Sequence, residues 1–184
     1  MIAADLAKQA RVFFALWPNT LLREEISTWQ VPLRNIVGGR ALPVENLHNT
    51  LVFLGAVPVE RMENLLLAAQ EVNGDIFQLD FNRARYWGHS QIVYAAPEIV
   101  PPQLTQLVQA LEHALQHHHF IIERRAYKPH VTLLRHAQWS DTPLPPMQAV
   151  KWAVQDFVLV QSHGEGQGVR YEVLYRFPLT TLAG

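Results

Sequence analysis

The chain has 184 residues, 49% of them hydrophobic and 17% charged, which suits one domain or two small lobes with a sizeable core and disfavours intrinsic disorder. The absence of cysteine excludes disulfides, thiol nucleophiles and thiolate metal sites, and is compatible with a cytoplasmic location. A net charge of −1 disfavours a wholly basic nucleic-acid binder but allows a local basic patch, and no apolar run reaches the roughly 18 residues of a membrane span.

Hydrophobic periodicity predicts strands and helices in an order typical of an α+β fold. Strands are predicted over residues 12–17, 47–54, 77–87, 91–96, 121–122, 130–134, 152–162 and 169–177. Helices are predicted from residue 19 or 20, over residues 60–72, and from residue 101 to the histidines at 117–119. Breaks are expected at Pro32 and Gly38-Gly39, at Gly55 and Pro58, in the proline-rich loop 141–146, and at a hairpin turn over 163–168.

One short motif occurs twice, 82 residues apart. Residues 48–51 read His-Asn-Thr-Leu and residues 130–133 read His-Val-Thr-Leu. Residues i and i+2 of a strand point to the same face, so each histidine addresses the same space as its threonine, while the alternate residues face the core. An imidazole exchanges protons near neutral pH, and a hydroxyl can donate to an anionic oxygen. Two such strands side by side would surround one phosphate with a proton-transfer group on each side.

These motifs resemble those of the two-histidine phosphoesterases, and in particular the 2′-5′ RNA ligase / RNA 2′,3′-cyclic phosphodiesterase family. The resemblance extends to residues 11–17, to the block 43–55, to residues 129–135, and to Ser162, Gly168, Arg170 and Tyr171 of the final hairpin. It implies one bilobal α+β domain over residues 1–184. Approximate two-fold symmetry and antiparallel sheets would line a central cleft, with one motif from each lobe.

The resemblance also implies an activity. Family members hydrolyse a 2′,3′-cyclic phosphate at an RNA 3′ end to a 2′-phosphate, and the reverse direction joins RNA ends by a 2′-5′ bond. Neither direction needs a metal or nucleotide cofactor. The expected partners are therefore RNA ends, such as those of tRNA halves, with no protein partner implied.

Residue roles follow from the same resemblance. His48 would be the general acid on the leaving oxygen and His130 the general base on water, although the residues alone leave that order open. Thr50 and Thr132 would hold the phosphate oxygens. Arg135 is the candidate cation, but strand alternation places it opposite His130 unless the strand ends or twists there.

Two alternatives stay open from the sequence. One is an esterase of the same kind acting on a small cyclic nucleotide, such as ADP-ribose 1″,2″-cyclic phosphate. The other is a non-catalytic module that grips RNA or nucleotide phosphates. The histidines at 113 and 117–119 have a spacing that metal ligands use. No cysteine and few carboxylates accompany them, and cationic histidines suit a helix C-terminus, so no metal site is predicted.

Overall fold

Ten strands and four helices make up the part of the chain that the structure, a computed structural model, describes: residues 8–165 and 168–181. The strands are β1 Gln9–Leu16, β2 Arg40–Ala41, β3 Asn49–Pro58, β4 Phe77–Phe81, β5 Arg83–Trp87, β6 Ile92–Ala96, β7 Val131–Arg135, β8 Val150–Val154, β9 Asp156–Glu165 and β10 Gly168–Pro178. The helices are α1 Thr20–Ser27, α2 Gln30–Val37, α3 Met62–Gln70 and α4 Pro102–His117, and two short 3₁₀ turns cover Val44–Asn46 and Val59–Arg61. None of these helices is long and apolar enough to cross a membrane.

The strands form two four-stranded antiparallel sheets and one antiparallel pair. The first sheet has the order β10-β9-β1-β3, the second has the order β2-β7-β6-β5, and β4 pairs with β8. His48 lies directly before β3 of the first sheet, and His130 lies directly before β7 of the second. The predicted α+β class with antiparallel sheets is confirmed, and each sheet supplies one motif.

The largest buried apolar cluster includes side chains from both four-stranded sheets and all four helices. The helical spacing predicted for α4 is confirmed, since Leu104, Leu107, Leu111 and Leu115 are each at most 1% exposed. Each fully buried leucine contributes about 1.5–3 kcal/mol relative to an exposed one. The core thus joins the two sheets that carry the motifs.

The first predicted helix is two helices. It breaks after Thr28, and the buried Trp29 opens α2. Pro32 was expected to end the helix, but it lies in the first turn of α2, where a missing N–H costs no hydrogen bond. Gly38 ends α2 as predicted, with a left-handed φ of 65°.

Strand pairing accounts for the other differences. Gly55 and Pro58 do not form a turn but belong to β3, where Gly55 has a φ of 74° beside a register shift against β1. The predicted strands 77–87 and 152–162 are each interrupted, at Asn82 and Gln155, because the two halves of each pair with different partners. Residues 121–122 form no strand, and residues 166–167 of the predicted turn lie outside the described residues.

Two adjacent glycines before β2 allow a matched test of close packing. Both have left-handed backbones, but a Cβ on Gly39 would lie 2.7 Å from the Arg135 carbonyl oxygen, whereas a Cβ on Gly38 would meet nothing within 4 Å. Gly38→Ala should lower the free energy of unfolding by about 1–3 kcal/mol, the cost of its backbone alone, because a φ of 65° with a ψ of −147° suits essentially only glycine. Gly39→Ala should cost a further ~1–3 kcal/mol because β2 must move away from β7. Chemical denaturation measures both, and equal losses would contradict the predicted clash.

Candidate active site

The two motif histidines have the same local geometry. Nδ1 of His48 lies 2.7 Å from the Asn46 carbonyl oxygen, and Nδ1 of His130 lies 2.7 Å from the Lys128 carbonyl oxygen. A carbonyl can only accept a hydrogen bond, so Nδ1 carries the proton in both rings. In the neutral imidazoles, Nε2 is therefore the nitrogen with the free lone pair. Each ring is held by the residue two positions before it, just before its strand begins.

Aromatic side chains surround both imidazoles. Trp17 stacks on His48 with ring centroids 5.3 Å apart, and Tyr171 meets the same ring edge-on at 5.1 Å. Trp87 contacts His130 in a T-shaped arrangement at 4.6 Å. These contacts fix the planes of rings that already have one nitrogen tethered.

The surroundings favour neutral histidines in the ligand-free protein. Burial lowers the pKa of His48 to about 4, and the positive charges of Arg23, His130 and Arg135 also lower it, against the effect of the Asn46 carbonyl. Burial likewise lowers the pKa of His130, with a contribution from Arg125. The backbone N–H of His130 donates to the Asn49 side chain of the first motif at 2.7 Å, so the starts of β3 and β7 lie side by side.

The threonine hydroxyls are available for a ligand. Thr50 and Thr132 are both partly exposed, two residues beyond their histidines. Across the described chain, neither hydroxyl takes part in a hydrogen bond with the protein. Each motif therefore presents one imidazole nitrogen and one free hydroxyl.

The leucine of each motif forms a β-bulge. In the first sheet Ala15 pairs with Thr50 and Phe14 pairs with Val52, so Leu51 has no partner in β1. In the second sheet Tyr94 pairs with Thr132 and Val93 pairs with Leu134, so Leu133 has none in β6. Each bulged leucine and the residue after it are both buried, which reverses the alternation of the strand from that point. Val52 is thus a core residue, although regular alternation places it with Thr50.

This bulge changes the position expected for Arg135. Regular alternation puts Arg135 on the face opposite His130, but the bulge at Leu133 moves the exposed Arg135 side chain to the face of Thr132. Its charge lowers the pKa of His48 and opposes the burial that raises the pKa of Tyr171. The structure therefore brings all five predicted site residues to one region: His48, Thr50, His130, Thr132 and Arg135.

Two residues at this site were missed from the sequence. Asn49 was expected to face the core as packing, but its amide donates to the Tyr127 hydroxyl and accepts from the backbone N–H of His130. Arg23 donates from Nε to the Leu47 carbonyl at 3.0 Å and lies over the ring of Trp17 at 4.6 Å. A polar residue at a core-facing strand position was the available signal for Asn49, whereas nothing in the local pattern indicated Arg23.

A cavity of about 570 Å³ adjoins the motifs on the His130 side. Its lining includes Thr50, Trp87, Lys128 and His130. One group of close potential metal ligands occurs among the described residues, Glu71 with His117 and His118, at the C-terminal ends of α3 and α4. That group contains no motif residue, and Nε2 of His118 already lies 2.7 Å from a Glu71 carboxylate oxygen.

Comparisons with known proteins agree with this geometry. The RNA 2′,3′-cyclic phosphodiesterase of Escherichia coli (strain K12) is 32% identical to this chain, and the alignment covers 95% of this chain and 99% of that protein. The RNA 2′,3′-cyclic phosphodiesterase of Thermus thermophilus is 27% identical, covering 92% of this chain and 90% of that protein. The crystal structure of E. coli LigT complexed with 3′-AMP superposes with a TM-score of 0.85 at 32% identity, covering 95% of this chain and 100% of that chain.

The family itself is matched directly. A sequence model of the 2′-5′ RNA ligase superfamily matches residues 18–166, which include both motifs. The resemblance seen in the motifs is thus confirmed over most of the chain. On this match and on the similarity to the E. coli protein, the chain belongs to the 2′-5′ RNA ligase superfamily.

Proposed function

We propose that this chain is an RNA 2′,3′-cyclic phosphodiesterase that opens the cyclic phosphate at an RNA 3′ end to a 2′-phosphate, without a metal. The observation that carries the proposal is the repeated geometry of the motifs. In each, Nδ1 is tethered to a carbonyl, Nε2 is free, and an unused threonine hydroxyl lies two residues further on. The activities named for the two relatives support the same reaction.

The proposed mechanism is an in-line displacement at phosphorus. Nε2 of His130 takes a proton from water as the water oxygen forms a bond to phosphorus. The bond from phosphorus to the 3′ oxygen breaks, and Nε2–H of His48 gives its proton to that oxygen. The product carries a 2′-phosphate and a free 3′ hydroxyl. Ligation would be the same displacement with an RNA 5′ hydroxyl in place of water. Nε2 of His130 would take the hydroxyl proton as that oxygen bonds to phosphorus, and His48 would protonate the 3′ oxygen as its bond breaks, which leaves a 2′-5′ bond.

The remaining site residues stabilise the phosphate. Negative charge grows on the two non-bridging oxygens as water attacks, and in this proposal the hydroxyls of Thr50 and Thr132 donate to them. Arg135 supplies a positive charge on the same face as Thr132. The reaction needs both motifs, so residues 1–184 act as one bilobal domain in this proposal.

Substrate charge resolves an apparent conflict in the protonation states. Both histidines have lowered pKa values in the ligand-free protein, yet His48 has to be protonated to act as an acid. A bound phosphodiester anion raises the pKa of an adjacent imidazole because opposite charges attract. Stacking on Trp17 favours the same ionisation, since the face of an indole attracts a cation. Substrate binding therefore favours the protonated form of His48 that the mechanism needs.

The pH dependence follows with a definite sign. The productive enzyme holds one proton on the pair of histidines, and both ligand-free pKa values lie below 6.5. Above that pH the singly protonated fraction falls with proton concentration, so kcat/KM should fall about tenfold per pH unit between pH 7 and pH 8. The fall in kcat should begin at a higher pH because bound phosphate raises the pKa of the acid. Steady-state profiles measure both, and a kcat/KM that is flat or rises from pH 7 to 8 contradicts the assignment.

The cellular substrate in this proposal is RNA. The cavity beside Thr50 and His130 has room for a nucleoside, and Trp87 and Lys128 in its lining offer an aromatic face and a positive charge. RNA ends such as those of cleaved tRNA in the cytoplasm carry the required cyclic phosphate.

The deciding experiment is incubation of the purified protein with an RNA oligonucleotide ending in a 2′,3′-cyclic phosphate. We expect a 2′-phosphate product, identified by its chromatographic mobility and its resistance to enzymes that require a 3′-phosphate. The same rate, within about twofold, is expected after prolonged dialysis against EDTA. An unchanged RNA end alongside turnover of a small cyclic nucleotide would favour the small-substrate alternative. Binding of the RNA end without turnover would favour a binding module.

A further inference from the structure

We propose that Asn49 is a positioning residue for His130, holding the base of the second motif from within the first motif. This inference rests on the proposed function, in which His130 takes the proton from water. It concerns the second residue of the first motif, which the mechanism itself does not use. The counterpart in the second motif is Val131. Its apolar side chain cannot form the equivalent hydrogen bond from the second motif to His48.

Both polar atoms of the buried Asn49 side chain have hydrogen-bond partners. Its side chain is 0% exposed, and among the described residues it is one of two buried polar side chains, with Gln30. Oδ1 accepts from the backbone N–H of His130 at 2.7 Å, and Nδ2 donates to the Tyr127 hydroxyl at 2.8 Å. The Tyr127 hydroxyl in turn donates to the Thr50 carbonyl at 3.2 Å.

The partners on both sides agree on which way the Asn49 amide points. The His130 backbone N–H can only donate, so it requires Oδ1 whether or not the Tyr127 hydroxyl is present. Since the Tyr127 proton is directed at the Thr50 carbonyl, the hydroxyl offers Asn49 only a lone pair. Nδ2 therefore faces Tyr127, and Oδ1 is left facing His130. Burial raises the pKa of Tyr127, so its hydroxyl keeps the proton that this arrangement needs.

Two bonds hold His130, and one of them comes from the first motif. Its backbone N–H is tied to Asn49, and its Nδ1 is tied to the Lys128 carbonyl. Without the first bond, the start of β7 can move relative to β3 while the imidazole keeps its second bond. Misplacement of a catalytic group by about 1 Å can lower a rate 10²-fold. The structural consequence is that a buried amide joins the two halves of the site.

The test compares three variants with a matched control. Asn49→Leu removes the acceptor of the His130 N–H. Tyr127→Phe leaves that acceptor in place, and the double variant removes both side-chain polar groups while the His130 N–H still lacks its acceptor. Tyr86→Phe is the control, because it removes a half-buried tyrosine hydroxyl, bonded to the Ala137 carbonyl, outside the motifs.

We expect kcat to fall about tenfold or more in Asn49→Leu, with KM within threefold of the parent value. Tyr127→Phe and Tyr86→Phe should each lower kcat less than threefold. The double variant should keep the low kcat of Asn49→Leu, because the His130 N–H has no acceptor in either variant. In ligand-free protein, the His130 amide proton signal should move upfield in both variants that lack Asn49, and should stay in place in Tyr127→Phe.

Recovery of kcat to within threefold of the parent in the double variant would overturn the proposal, since Asn49 would then serve packing alone. An unmoved His130 amide signal in Asn49→Leu would overturn it as well. The amide signal is read without substrate. A parent protein that fails to turn over cyclic phosphate would count against the proposed function, separately from the hydrogen bond.

Discussion

Replacing His48 or His130 with alanine is expected to lower kcat for cyclic phosphate hydrolysis by about 10²–10⁴-fold in each case. Each variant loses one of the two proton transfers, while the threonines and Arg135 still hold the phosphate, so KM should change little. The double variant should be scarcely slower than the worse single one, because both histidines act in one displacement step. Single-turnover rates with the cyclic phosphate oligonucleotide measure these losses.

His113→Ala is the matched control for these variants. His113 is an exposed histidine on α4 with no part in the motifs, so its removal should leave kcat within about twofold. Circular dichroism should show the same fold for all variants, since both motif histidines lie just before their strands and are not core residues. Losses below tenfold for both His48→Ala and His130→Ala would refute two-histidine catalysis.

Much of the active region could be predicted from the sequence because a strand repeats its side-chain directions every two residues. That period is local, so His48 with Thr50 and His130 with Thr132 could be paired without knowledge of the fold. The amphipathic spacing of α4 is local in the same way, and its buried leucines were predicted correctly. The meeting of the two motifs was inferred from their repetition and their family resemblance.

The features that were missed depend on pairing between distant segments. The bulges at Leu51 and Leu133 exist because β1 and β6 skip one residue of their partners, and no spacing within either motif encodes that skip. The placement of Arg135 on the side of Thr132 follows from the second bulge. The breaks at Asn82 and Gln155 have the same origin, since each divides a run whose halves pair with different strands.

The repeated bulge explains why a leucine follows the threonine in each motif. After His and Thr point into the site, a regular strand would direct the second residue beyond the threonine there as well. The bulge instead sends Leu51 with Val52, and Leu133 with Leu134, into the core, and each of these four is at most 5% exposed. Two consecutive core residues anchor each motif directly behind its threonine.

Removing either threonine hydroxyl is also expected to lower kcat strongly. Thr50→Val and Thr132→Val keep the branched shape of the side chain and remove its donor, so each is expected to lower kcat about 10²-fold. Thr50→Ser and Thr132→Ser keep the donor and should retain activity within about tenfold, which separates the hydroxyl from side-chain packing.

Comparison of the two positions tests the symmetry of the proposed phosphate site. Each hydroxyl is free of hydrogen bonds with the described protein and lies two residues beyond its histidine, so the two valine variants should lose activity to a similar extent. Arg135 contributes charge on the Thr132 side, and Arg135→Met should therefore make the loss in Thr132→Val larger without changing that in Thr50→Val to the same degree. Full activity in both valine variants, measured at saturating cyclic phosphate, would show that the hydroxyls do not stabilise the growing charge on phosphate.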